Sequence, residues 1–427
     1  MSVNNVTLSK QPLLFLLCAF ALLLSGCGAT PKTQNGPLMV GPGSTMQSEP
    51  TKRSYNYNSS IYLDVAVPVF NPGFPIDADS GHIDYDELGE MDIWPQLRRA
   101  EAKRFAIQTK HALQDTKAFG SVNNVPSADT TADLFVLGTI NHSDSEIVTI
   151  TVMVIDSAGT ILGEREFEHT VSQYFFRDQQ NQDKNPYEPV FSQIGDYVYD
   201  LVTQLPDTQK QRIKQTTLVR YAQYYSPEAY DSYVSRQLKR YDGQQYYQYS
   251  LNGLPAEDDP MFQRIQNLRA QDLLFVDRMQ DQFEVFDKET EDAYRQWQKE
   301  TLPEAVRARE ARAERNTKAA LGIGLGVLAA VLGNNSSSTA TAVARTAGAI
   351  GSVWLLKDAY KANENLKVAR TVIDEMGQGL DLNLSPTVME FDDKIVELKG
   401  TASEQYEQWK AHLRKIYALE QTPDTQL

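Results

Sequence analysis

The sequence predicts an α+β chain: an N-terminal α/β sandwich domain with one sheet, followed by an all-α domain containing a Gly/Ala-rich helical hairpin. Three observations predict it. Between residues 61 and 206, short runs of β-branched residues alternate with stretches of helical period. From residue 207 onward the chain turns helical and aromatic. Residues 319–356, AALGIGLGVLAAVLGNNSSSTATAVARTAGAIGSVWLL, are apolar, dominated by small side chains and broken by one polar turn.

The N-terminus comes first. Lys10 precedes an apolar run over residues 12–24 that is too short to span a bilayer and has the form of a secretory h-region. It ends in Leu24-Ser25-Gly26-Cys27, which resembles a bacterial lipobox. The resemblance implies a signal peptide over 1–26, with the Cys27 thiol taking a diacylglycerol and further acylation, palmitate included, making the anchor stable. Gly28 and Ala29 follow the cysteine in place of an acidic residue, which implies the outer membrane, with the body facing the periplasm. Cys18 lies in the removed segment and Cys27 is consumed by lipid. The mature chain therefore has no thiol for a disulfide, a metal or a nucleophile.

Residues 27–60 are rich in Gly, Pro, Ser, Thr, Asn and Gln without a hydrophobic period, and read as a flexible tether with a reach of roughly 30 Å. The net charge of -15 excludes nucleic acid as a partner and suits a soluble body.

Order begins at IYLDVAVPVF, residues 61–70, a buried strand by its β-branched content. Residues 94–116 place Ala102, Phe105, Ala106, Thr109, Ala112 and Leu113 on one face of a helix. Strands follow at 121–125, 133–140, 147–155 and 161–171. The last two are joined by the turn Asp156-Ser157-Ala158-Gly159. Asn185-Pro186 opens a second amphipathic helix, with Val190, Ile194, Val198, Leu201 and Leu205 in line, and Pro206 stops it. These elements form an α/β domain over 61–206.

The stretch ADLFVLGTINHSDSEIVTITVMVIDSAGTILGEREF, with IYLDVAVPVF ahead of it, resembles the periplasmic domain shared by the curli-secretion lipoprotein, the lipoprotein activators of penicillin-binding proteins and the N-terminal domain of the Tol translocation protein TolB. It covers about a third of the chain. The resemblance implies a binding module that works by contact or assembly and brings no catalytic residues.

Beyond Pro206, the segment LVRYAQYYSPEAYDSYVSRQLKRYDGQQYYQYSLNGL concentrates tyrosine, a residue that fills helix seams or offers amphipathic contact area. Tyr294/Trp297 and Tyr406/Trp409 echo one another, each pair three residues apart on a helix face.

Chemistry is hard to find. His82, His111, His142, His169 and His412 are scattered without metal-ligand spacing, and no phosphate loop, nucleophile elbow or HExxH is present. DADSGHIDYDELGE, residues 77–90, resembles the opening of a calcium loop, yet Gly81 sits where a ligand is needed and Leu88 where the closing Glu belongs. It reads as a solvated acidic loop. No cofactor, metal or catalytic residue is expected.

In the hairpin, Gly322, Gly326 and Ala330 on one arm, and Ala340, Ala344, Gly348 and Ser352 on the other, recur every four residues. Such spacing makes a flat groove for another backbone and is similar to the glycine-zipper segments of bacterial envelope proteins. The first arm, 319–332, is about 21 Å long as a helix, short of a core of roughly 30 Å, and the second contains Arg345. Packing within its own domain, an oligomer or partner interface, and membrane insertion stay open.

The function expected is that of a non-enzymatic lipid-anchored envelope protein, a scaffold or accessory subunit acting through protein–protein contacts. Its partners would be the outer membrane through the lipid, envelope proteins, or further copies in a homo-oligomer. A subunit of an oligomeric outer-membrane secretion channel and an activator of a peptidoglycan synthase are the alternatives.

Overall fold

A computed structural model describes residues 53–91, 93–332, 364–391 and 394–421. The chain is mixed α and β, with a five-stranded sheet and a largely helical C-terminal region.

The strand β1 (Asp64–Pro68) lies inside the sheet and is buried on both sides. Val65 and Val67 face one core and Ala66 the other, the alternation that a pleated strand imposes. It pairs in parallel with β2 (Ser121–Val125) and β3 (Leu134–Ser143). Parallel neighbours need a crossover, supplied after β1 by α1 (Tyr85–Glu90) and α2 (Pro95–Asp115). The strands β3, β4 (Ile147–Asp156) and β5 (Ile161–Thr170) form an antiparallel meander, giving the order β2-β1-β3-β4-β5. Asp156 closes the β4–β5 turn by accepting from the amides of Ala158 at 2.9 Å and Thr160 at 2.8 Å, with Gly159 at φ +76°.

Helices cover both faces. On one side, α2 and α3 (Glu188–Thr203) bury Leu97, Phe105, Leu113, Val190, Ile194 and Val198 against Val136, Ile150 and Val152. On the other, α4 (Asp207–Tyr225), the long helix α5 (Pro260–Leu332) and α7 (Ala402–Gln421) enclose a second core around Phe275, Phe283, Trp409 and Leu413. The helix α5 joins the two, since its Tyr294, Trp297, Leu302 and Val306 belong to the first core. Where it passes β2, the Gln280 amide donates to Asn124 O and accepts from Asn124 N, both at 2.8 Å. That side chain completes a strand edge as another strand would.

Four expectations are corrected. The sequence predicts a one-sided amphipathic α2, but its polar face is buried too: Arg98, Glu101, Lys103, Arg104 and Lys110 are all inaccessible. The covering elements are α5 and α6 (Glu364–Met376), and each charge meets a partner. Arg104 donates to Thr290 Oγ1 at 2.8 Å and pairs with Asp287 and Glu291, while Lys103 donates to the carbonyls of Met376 at 2.8 Å and Gly379 at 2.9 Å just past α6. Cations at a helix C-terminus are favoured by its exposed carbonyls.

The region after 206 is not all-α. It holds the ribbon β6 (Val234–Tyr241) with β7 (Gln244–Leu251) and the hairpin β8 (Thr387–Phe391) with β9 (Lys394–Leu398). Asp242 at φ +44° and Gly243 at φ +77° form a tight turn with both central residues left-handed, the geometry that Asp-Gly favours. Half of the tyrosine-rich segment expected to be helical is therefore this ribbon.

Contacts cross the boundary expected at 206/207. Thr217 of α4 donates to Asp133 Oδ1 at 2.7 Å, and α5 contributes to the sheet's own core. The tether expected through residue 60 ends sooner, because Arg53 pairs with Asp200 at 2.7 Å and the Tyr55 ring lies 5.1 Å from Tyr199 on α3.

Candidate functional site: a tyrosine-walled cleft

A cleft of about 520 Å³ opens where the loop before β3, α4, the β6–β7 ribbon, α5 and α7 converge. Its size suits a small molecule. Tyr221, Tyr224 and Tyr225 of α4 and Tyr406 of α7 supply aromatic walls, and Arg220, Arg236 and Lys410 supply cations.

Asp272 lines the same cleft from α5. That helix buries Ile265, Leu268, Phe275, Val276, Met279, Phe283 and Phe286 at three- and four-residue spacing. Asp272 occupies a position in this stripe where an apolar residue is expected, and it is 2% exposed. The Tyr406 hydroxyl donates to its Oδ2 at 3.2 Å. Its Oδ1 is buried and has no hydrogen-bond partner among the described residues. Burial pushes the carboxyl up to about 7, against the opposing pull of the Tyr406 bond and the positive charges of Lys410 and Arg269.

The surrounding side chains are held in place. Phe275 stacks with Tyr406 at 6.1 Å and packs on Trp409 at 5.6 Å. The Tyr221 hydroxyl donates to that of Tyr225 at 3.3 Å, and burial raises both phenols above their ordinary range. Arg220 lies 3.8 Å over the Tyr249 ring and donates to the Ser157 carbonyl, tying α4 to the ribbon and the β4–β5 turn. Lys410 lies 4.8 Å over the Tyr406 ring and pairs with Glu407.

A second buried carboxylate is of a different kind. Glu101, fully buried, accepts from Arg98 at 3.2 Å, Ser143 at 2.6 Å and Tyr294 at 2.9 Å. Burial raises its carboxyl and these donors oppose the rise. This closed network fastens α2, β3 and α5 together.

The residues singled out in the sequence fare unevenly. Cys27, Ala340, Ala344, Gly348 and Ser352 lie outside the described residues. Gly322, Gly326 and Ala330 fall on the backbone of α5, which runs through to Leu332. The first hairpin arm is thus the end of a longer helix. Tyr294/Trp297 and Tyr406/Trp409 do not pack as a pair: the first joins the sheet core and the second the helical core. Each pair nevertheless aims its tyrosine at a buried carboxylate, Glu101 or Asp272.

The histidines do not converge. His111 meets Glu284 at 2.9 Å, His142 meets Asp144 at 3.0 Å, and His412 stacks on Trp409. Among the described residues, no group of three or more His, Cys, Asp or Glu is placed to hold a metal. In the acidic loop, Asp77 accepts from Ser80 N at 2.6 Å, Gly81 takes φ +70°, and Asp84 caps α1 through the amides of Asp86 and Glu87. Its carboxylates thus satisfy backbone donors.

Asp272 escapes a motif search because it belongs to no motif. Its signal is the polar residue inside the apolar stripe of α5.

No known protein family matches the chain. Neither a curated protein nor a solved structure matches it.

Proposed function

We propose that this chain is a non-enzymatic, lipid-anchored envelope protein that acts as a scaffold or accessory subunit through protein–protein contacts. The observation that carries the reading is the β6–β7 ribbon. On a chain of net charge -15, it sets Arg236, Lys239 and Arg240 against one carboxylate, Asp242. Two of its basic side chains lie opposite tyrosines, with Arg236 paired to Tyr249 and Lys239 to Tyr246 in register. Leu238 is 55% and Tyr247 47% exposed. Aromatic and arginine side chains in an exposed cluster are the composition of a contact surface, and the positive charge selects an acidic partner. The buried ion pairs of α2 join elements of the fold, in keeping with a body that supports a surface. The lipobox-like LSGC supports a lipid anchor at Cys27 in an outer membrane, and the resemblance of residues 61–171 to periplasmic contact modules agrees with the same role.

Photo-crosslinking in cells tests it, with the reactive group at Leu238 or Tyr247 and a control at Ile395, exposed on β9. The ribbon positions are expected to trap a discrete protein adduct that the control does not. Reversing Arg236, Lys239 and Arg240 to Glu should abolish it. Cys27→Ala should move the protein from the membrane to the soluble fraction. Equal adducts at ribbon and control, or a Cys27→Ala protein still in the membrane, overturn the reading.

A further inference from the structure

We propose that the tyrosine-walled cleft binds a small zwitterion, its primary ammonium held by Asp272 and its anionic end directed toward Arg236. The argument starts from an imbalance. A buried carboxylate oxygen without a donor costs free energy comparable to a lost hydrogen bond or more. Asp272, whose Oδ1 stands in that position, lines a cleft of about 520 Å³. A ligand that brings N–H donors removes the penalty, and one that brings positive charge also compensates the ionised carboxylate.

The walls favour the same chemistry. The rings of Tyr221, Tyr225 and Tyr406 surround the cleft, and aromatic rings attract an ammonium once it is desolvated. A quaternary ammonium has no N–H to donate, so the orphan oxygen selects an amine that carries N–H, and a primary ammonium brings the most donors.

The cations around the cleft fix the other end. Lys410 on α7 acts on Asp272 electrostatically, as does Arg269 on α5, which itself lies 3.8 Å from Asp64. Arg236, on the ribbon, lines the cleft mouth. A simple amine meets repulsion from these groups. A molecule with an anionic group beyond its ammonium exchanges that repulsion for attraction.

Titration calorimetry on the full chain tests the proposal with 6-aminohexanoate, n-butylamine and hexanoate as probes. The expected order is 6-aminohexanoate tighter than n-butylamine, with hexanoate not binding. Asp272 must be ionised to hold the ammonium, so affinity for both amines should fall about tenfold for each pH unit below 7 and level off above 8. Asp272→Asn should weaken both amines at least tenfold while circular dichroism stays unchanged. Arg236→Gln, at an exposed ribbon position, should weaken 6-aminohexanoate three- to tenfold while n-butylamine binds slightly more tightly, its repulsion by that cation being removed. Absence of amine binding at millimolar concentration, unchanged binding by Asp272→Asn, or tighter binding of hexanoate overturns the proposal. If Asp272→Asn fails to fold, the wild-type pH profile decides: affinity independent of pH between 5.5 and 8.5 overturns it equally.

Discussion

Glu101 and Asp272 are both carboxylates on helices, both buried, and both accept a hydrogen bond from a tyrosine that precedes a tryptophan by three positions. Their surroundings differ in one respect. Glu101 has Arg98, Ser143 and Tyr294 around it, whereas Asp272 has Tyr406 and one oxygen left over. A closed network is structural because every donor in it is needed. An open one holds an unsatisfied valence that a ligand can meet. Chemical type and burial alone do not separate a brace from a site; the completeness of the hydrogen bonding does.

The largest effect expected from breaking this comparison is at the closed end. Glu101→Gln leaves the Arg98 guanidinium buried without its counter-charge and should cost about 3–5 kcal/mol, measured as a lowered urea midpoint at constant slope. Asp272→Asn should act with the opposite sign. The folded-state carboxyl titrates near 7, above the ordinary value of 3.8, so native stability is fullest below pH 4 and is lost as pH rises toward 7. The amide variant lacks that loss. It should be more stable than the wild type at pH 8 by up to about 4 kcal/mol, and the difference should disappear by pH 4. A wild-type advantage at pH 8 would mean that Asp272 is already compensated in the folded chain.

The tyrosines sharpen the contrast at smaller scale. Tyr294→Phe removes one of several donors to Glu101 and should cost about 1–3 kcal/mol. Tyr406→Phe removes the hydroxyl that holds the Asp272 carboxyl down, so its titration, followed by carboxyl carbon NMR, should move upward. Gln280→Ala uncovers the β2 edge and should cost about 1–2 kcal/mol, with faster hydrogen exchange at the Asn124 amide. Smallest of all is Arg236→Gln on the exposed ribbon, expected within about 0.5 kcal/mol of wild type in the absence of ligand.

Much of the fold was legible in sequence, and particular residues show why. The β-branched run at 147–155 and the turn Asp156-Ser157-Ala158-Gly159 locate β4 and β5 to within one residue, because strand period and turn chemistry are both local. The prolines at 186 and 206 bracket α3 for the same reason. The ribbon was misread although Asp242-Gly243 announced it: its flanks Arg236 to Tyr241 and Gln244 to Tyr249 are polar on both faces, so no core-facing alternation marked them as strands. The burial of the charged side of α2 is not legible in its sequence, because nothing within it reports that α5 and α6 will cover it.

The candidate site was less legible. Its tyrosines were singled out, but Asp272 was not, and the cleft draws on residues from the β2–β3 loop to α7.

The sequence by itself determined where helices and strands form between residues 61 and 206, since apolar period, prolines and turn residues act over a few positions of backbone. It also supplied the LSGC motif and the small-residue spacing from Gly322 to Ser352. Only the tertiary structure decided which buried acid is satisfied. Tyr294 stands 193 positions from Glu101, and Tyr406 stands 134 from Asp272. Whether such groups meet, and how many others arrive with them, depends on how whole elements pack. Among the described residues, one oxygen of Asp272 is left open because the helices around it bring a single hydrogen-bond donor to the carboxylate.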